Sequence, residues 1–175
     1  YLLFSEKVEN VFISFGGADP QNYSDRLLNI ISSDEYKDYK FTVVLGRAKN
    51  NVQELLEYNK FNNIDVMYDV NNMPELMSKC DIGITSRGRT GYELAILGIP
   101  SISMAQNKRE EKHGFVCNEN GFSYIGLNPN DEVIKGTLDM YLKMSKSGRK
   151  HYQDMLLMHD LRNGRKRVMN LIKGL

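Results

Sequence analysis

Residues 80–107 read CDIGITSRGRTGYELAILGIPSISMAQN, and this stretch decides the fold. A β-branched run, IGIT at 82–85, leads into a loop of hydroxyls, arginines and glycines. An apolar pattern of helical period follows at 90–97, and Gly98 supplies the residue type that ends a helix in the left-handed region. A second β-branched run, PSISM at 100–104, comes next. Two buried strands joined through a helix pair in parallel, because a parallel neighbour is reached only by a crossover. Outward from this unit the same alternation continues. NVFISF (10–15), FTVVLG (41–46), IDVMY (64–68) and FSYIG (122–126) predict further strands. Residues 21–32, 52–58, 74–78, 109–117 and 132–146 predict helices, with Asp19 as N-cap and Pro20 as first helical residue of the first. The expected fold class is α/β: a Rossmann-like doubly wound parallel sheet of about six strands, covered on both faces. Two extra C-terminal helices, around 150–160 and 165–173, are expected after the last strand.

With 175 residues, 41% hydrophobic and 26% charged, the chain suits a single folded domain. No apolar run approaches the ~20 residues of a membrane helix, so no spanning segment is expected. Cys80 and Cys117 lie far apart and the three histidines are scattered. Neither a disulfide framework nor a metal site is predicted, no cofactor is called for, and a reducing cytoplasm fits best. The opening YLLFSEKVEN lacks an initiator Met and a signal-peptide layout, which suggests a piece of a longer protein. Net charge is +1 but uneven: from Lys143 onward nine Lys or Arg face two Asp, a net +7, against −6 before it. That basic tail reads as solvated helix faces, or else as an interface with an acidic partner or a membrane surface. No nucleic-acid motif accompanies it.

In a doubly wound sheet the ligand site lies beyond the carboxyl ends of the strands, so the loops after each strand matter most. After the first strand, Gly16 and Gly17 leave backbone amides unshielded ahead of a helix start, a setting for phosphate or for an ordinary tight turn. After the fourth come Ser86, Arg87, Gly88, Arg89 and Thr90, where hydroxyls, guanidinium groups and a helix N-terminus converge on an anion. Glu93, one turn further, suits a sugar diol; alternatively Thr90 caps the helix and Glu93 caps back. Gln106 and Asn107 follow the fifth strand and can both donate and accept. His113 is the one nearby acid–base candidate, a surface or capping role being the stronger expectation. In the third loop, Val70 and Met73 could flank a flat base, or simply lead into the next helix. No nucleophile–base pair, paired carboxylates or metal cluster emerges, so the catalytic residues are unknown and the pattern is one of binding.

The run from Cys80 to Phe115, with the FGGADP opening at 15–20, resembles the C-terminal, nucleotide-sugar-binding half of GT-B enzymes. It is most similar to the UDP-sugar hydrolase of pseudaminic acid biosynthesis and its spore-coat-polysaccharide relatives. More distantly it resembles the lipid II-forming N-acetylglucosaminyltransferase. It also resembles a module that some bacteria fuse to an acylneuraminate cytidylyltransferase. The resemblance spans roughly residues 11–127. It implies that Glu93 binds the two ribose hydroxyls, that residues 86–90 wrap the diphosphate, and that Val70 presents backbone groups to uracil. Gly16 and Gly17 would approach the phosphates from the opposite loop, and Gln106 and Asn107 would meet the sugar or the distal phosphate. Arg87 and Arg89 depart from the small residues common in the transferase relative.

The resemblance implies two partners: a UDP-sugar and an N-terminal domain absent from this chain, to which the hydrolase's catalytic histidine belongs. The expected function is the UDP-sugar-binding domain of a GT-B-type hydrolase in nonulosonic acid or surface-polysaccharide synthesis. Alternatives are the donor-binding half of a family 28-like glycosyltransferase and a non-catalytic nucleotide-sugar-binding module. The chain by itself is expected to be inactive.

Overall fold

The β-branched runs form strands and the amphipathic stretches between them form helices, in alternation throughout the computed structural model, which describes residues 5–112, 114–158 and 172. The elements are β1 (Asn10–Ser14), α1 (Tyr23–Ile31), β2 (Lys40–Leu45), α2 (Val52–Leu56), β3 (Ile64–Tyr68), α3 (Met73–Ser78), β4 (Ile82–Ser86) and α4 (Arg89–Leu97). β5 (Ser101–Ala105), α5 (Lys108–Glu111), β6 (Phe122–Leu127), α6 (Asp131–Leu142) and α7 (Lys146–Leu157) complete them. All six strands are parallel, in the order β3-β2-β1-β4-β5-β6. Strand order reverses at β1, which pairs with β2 on one side and β4 on the other, so the crevice between β1 and β4 is the switch point.

Both sheet faces are buried, as near-continuous apolar strands require. Val11, Ile13, Phe41, Val43, Ile82, Ile84 and Met104 pack on one face beneath Leu27 and Leu28 of α1 and Ile134 and Leu138 of α6. Phe12 and Val44 face the other way and meet Met77 of α3 and Leu94 and Leu97 of α4. A third cluster joins Ala95 of α4 to Leu156 of α7 through Val116 and Phe122. Cys80 is buried in the second cluster, and burial pushes its thiol up to about 12, followed in effect by the neighbouring Asp81 charge. Such a thiol is inert.

Helix ends differ from the sequence expectation in four places. α1 begins at Tyr23, not at Pro20: Asn22 donates its N–H to the Asp19 carbonyl (2.9 Å), closing a turn whose fixed-φ position is Pro20. The predicted helix over 109–117 stops at Glu111, and Arg87 donates to the Glu111 and Val116 carbonyls. Gly88, not Thr90, stands at the N-cap position of α4 and supplies no side-chain cap, while Thr90 is buried in the first turn. Gly98 does end α4 in the left-handed region, at φ 72°. α7 starts at Lys146, earlier than predicted, where Ser145 Oγ accepts the Gly148 N–H (3.1 Å). The predicted helix at 165–173 except Ile172, most of the basic excess and His113 lie outside the described residues. Among the described residues, no helix is long and apolar enough to cross a membrane.

At the amino edge of the sheet, Asp81 accepts from the Glu9 and Asn10 amides (2.8 and 2.9 Å) and faces the buried Arg149 of α7 at 3.7 Å. Arg149 also donates to the Ser5 carbonyl (2.5 Å), which ties α7 to the segment leading into β1. Asp81→Ala strips two amides and a buried guanidinium of their shared acceptor. A loss of about 3 kcal/mol is expected, read as a fall in the denaturant midpoint with unchanged slope.

Candidate functional site

The crevice at the switch point is walled by the loops that follow β1, β4 and β5, with the β2 and β3 loops beside them. Ser86 Oγ donates to the Phe15 carbonyl (3.4 Å), joining the β4 end to the residue before the glycine pair. Gly16 (φ 80°) and Gly17 are exposed, and side chains added at either would meet nothing. A Cβ on the half-buried Gly88, at the mouth of α4, would likewise meet nothing within 4 Å. The two loops thus present bare backbone toward open space on both sides of the crevice.

The two helix N-termini at the crevice are not equivalent. The Asp19 carboxylate accepts the Tyr23 and Ser24 amides (3.0 and 2.8 Å), so a side chain already fills the α1 N-terminus. The helix start expected to serve a phosphate beside Gly16 and Gly17 is therefore closed, and α1 starts six residues past Gly17. No side chain caps α4: Gly91 donates its N–H to the Gly88 carbonyl (3.1 Å), which leaves the Arg89 and Thr90 amides as the open ones at its start. Its positive end, flanked by the exposed Arg89, is the electropositive feature of the site.

The two arginines of this loop have separate fates. Arg87 is buried, donates from Nε to the Val116 carbonyl (2.7 Å) and from Nη1 to the Glu111 carbonyl (2.5 Å), and lies 4.1 Å over the Tyr124 ring. It holds Glu111 and Val116 by their carbonyls, and its planar fork suits two carbonyls at once. Arg89 remains at the surface.

Glu93 lies one turn into α4, half-buried, and among the described residues its carboxylate has no hydrogen-bond partner. It does not cap back to its helix. Burial pushes its pKa up, and Arg89 one turn away pulls the other way. A carboxylate partly removed from water without a donor is costly unless something else supplies the donors.

Gln106 and Asn107 are not free side chains. Gln106 is 3% exposed; its Oε1 accepts the Gln21 amide (3.0 Å) and its Nε2 donates to Asp19 (2.7 Å). Asn107 Oδ1 caps α5 by accepting the Glu110 amide (2.9 Å). Val70 and Met73 pack half-buried against the cluster beneath α3 and α4. Sequence reasoning missed Lys49, an apparent loop lysine that is 5% exposed, and Gly46. Lys49 donates to Asn22 Oδ1 (2.9 Å) and pairs with Asp25 (2.8 Å), beneath the glycine loop. Nothing in the run GRAKNN distinguishes it from a surface lysine. Gly46 was legible as a strand-end glycine, though its contact was not. Among the described residues, no group of three or more His, Cys, Asp or Glu is placed to hold a metal ion.

A Cβ on Gly46 would sit 2.1 Å from the Gly16 carbonyl oxygen and 2.5 Å from that of Gly17. Both obstacles are backbone, so no side-chain rotation relieves them. Gly46→Ala is expected to displace the glycine loop, lower the melting temperature by several degrees and raise amide exchange at residues 15–18. Unchanged exchange there would show that the loop does not rest on Gly46.

No family model matches the chain. An uncharacterized protein of Methanocaldococcus jannaschii is 34% identical over 112 residues, which is 62% of this chain and 23% of that protein. Among solved structures, Acinetobacter baumannii MurG aligns at TM-score 0.67 and 15% identity, covering 98% of this chain and 51% of MurG. The UDP-GlcNAc 2-epimerase of Neisseria meningitidis, bound to UDP-GlcNAc, aligns at 0.59 and 14% identity, over 98% of this chain and 45% of the epimerase. The chain thus spans about half the length of these structures and a smaller share of its archaeal relative. These likenesses establish the fold: a Rossmann-like α/β domain of the kind that forms one half of the GT-B architecture.

Proposed function

We propose that this chain is the UDP-sugar-binding half of a two-domain GT-B-type enzyme, with the diphosphate at the uncapped α4 N-terminus and the ribose on Glu93. The observation that carries the reading is Glu93 itself, half-buried without a donor, one turn behind an open helix end at the switch point. A ribose offers two vicinal hydroxyl donors, and a carboxylate offers two acceptor oxygens at matching spacing. The amides opening α4, Arg89 and the dipole of a nine-residue helix suit two phosphates just ahead of it. Residues 86–90 wrap those phosphates in this reading, with Gly16 and Gly17 close on the facing loop. Val70 and Met73 border the base, and Asn107 faces the sugar side.

Within this reading the enzyme is a UDP-sugar hydrolase of nonulosonic acid or surface-polysaccharide synthesis. A preceding domain supplies the base that activates water, and the chain alone turns over no nucleotide sugar. The sequence resemblance supports the hydrolase over the donor half of a family 28-like glycosyltransferase, which would use the same site. Assay of the full-length protein for free sugar against transfer to an acceptor separates the two.

A carboxyl whose pKa is raised on folding holds its proton more tightly in the folded state. It therefore favours folding as pH falls into its folded range and opposes folding above it. Glu93→Gln removes that penalty, so at pH 7 the variant is expected to be at least as stable as the parent. Hydrogen bonds to a charged acceptor are worth ~1.5–3 kcal/mol, so its UDP affinity should fall tenfold or more. Calorimetry and thermal melts on the same samples check both signs; a lowered melting temperature with intact UDP affinity would assign Glu93 to the helix alone.

Binding is also expected to need no divalent ion, since amides, the helix dipole and Arg89 offset the phosphate charge. UDP titrations with excess chelator and with magnesium should coincide. Restoration of binding by magnesium alone would overturn this part of the reading.

A further inference from the structure

The resemblance assigns Gln106 to the ligand, yet its amide is engaged inside the protein. Its Oε1 accepts the Gln21 N–H (3.0 Å), its Nε2 donates to Asp19 Oδ1 (2.7 Å), and only 3% of the residue is exposed. Gln21 returns the contact, donating from Nε2 to the Gln106 carbonyl (3.2 Å). A second stitch lies alongside: Tyr23 donates its hydroxyl to the Ala105 carbonyl (2.6 Å) and accepts the Asn128 amide (2.8 Å). The β1–α1 loop is thus fastened to the end of β5 at several points.

Asp19 is the centre of this arrangement. Its backbone sits at φ 50°, a left-handed conformation that a non-glycine residue holds only when its surroundings enforce it. Its carboxylate carries the Tyr23 and Ser24 amides and Gln106 Nε2, and Lys49 Nζ stands 4.0 Å from Oδ2. Lys49 also holds Asn22, the residue that opens α1. Gly16 and Gly17 lie two to three residues before Asp19. Removing the Gln106 amide leaves a buried carboxylate short of a donor next to a strained turn, and the loop ahead of it is what can move.

We infer that Gln106 is a positioning residue: through Asp19 and the buried Lys49 it fixes the Gly16–Gly17 loop, and so governs the grip on a nucleoside diphosphate whatever sugar it carries. This rests on the nucleotide-sugar reading above. A direct sugar contact and a loop-setting role make opposite demands on two ligands that share a diphosphate. Loss of a sugar contact weakens UDP-GlcNAc and spares UDP, whereas a misplaced glycine loop weakens both by the same factor.

The test is calorimetry of Gln106→Leu with UDP and with UDP-GlcNAc, together with amide exchange over residues 15–24 without ligand. The expected result is an equal loss for both ligands, tenfold or more, with exchange at Gly16, Gly17 and Ala18 faster by a similar factor. Lys49→Met, which disturbs the same network from the β2 side, should show the same pattern and serves if Gln106→Leu does not fold. Loss confined to UDP-GlcNAc overturns the inference in favour of a sugar contact. Unchanged affinities, or a lowered melting temperature with unchanged affinities and exchange, overturn it in favour of a purely structural role. If the parent binds neither ligand, the nucleotide-sugar reading fails, and the exchange measurement alone decides whether Gln106 sets the loop.

Discussion

A parallel sheet whose first strand lies at its middle constrains everything else in this molecule. Each parallel neighbour must be reached by a right-handed crossover, so the chain first winds one way from β1 to β3 and then the other from β4 to β6. Helices consequently cover both faces, and the loops after β1 and β4 diverge toward opposite faces. The opening between them is a consequence of topology, before any side chain is considered. Register reinforces it: Ser14, the end of β1, lies opposite Thr85, one residue before the end of β4, so the two loops leave within one residue of the same height.

Such a crevice is useful only if its walls stay put, and here buried polar groups hold them. Arg87 ties the β4–α4 loop to two carbonyls of the β5–β6 connection, while Asp19, Lys49 and Gln106 connect the loops after β1, β2 and β5. Buried charges of this kind add little net stability compared with apolar packing, but they fix one geometry among several. The apolar clusters fix the strands and helices; the polar ties fix the rim. One consequence is a division of labour among residues of similar type. Arg87 and Gln106 face inward and hold backbone, and Arg89 and Glu93 retain capacity for something outside the chain.

The strands were legible because β-branched runs of five or six residues, separated by helical periodicity, admit little else. All six appear within a residue or two of the positions read from sequence, and the parallel order follows from their spacing by helices. The loops that wall the crevice were legible too, since a switch-point site depends on topology. What each polar side chain in them does was not. Asp19 looked like an N-cap and does satisfy α1 amides, but it reaches over a turn to do so and closes that helix end. Arg87 and Arg89, two positions apart, looked alike, and only the placement of the Glu111 and Val116 carbonyls tells them apart. Lys49 gave no signal at all, because a lysine is buried only when several distant acceptors meet it, and sequence pattern does not carry that information.

In the proposed site a ribose diol completes Glu93. Calorimetric titration of this chain with UDP and with 2′-deoxy-UDP, under identical salt and pH, tests it most directly. The two ligands share base and diphosphate and differ by one hydroxyl. The account predicts that the deoxy ligand binds at least about tenfold more weakly, the loss of one hydrogen bond to a charged acceptor. Equal affinities for the two would contradict it.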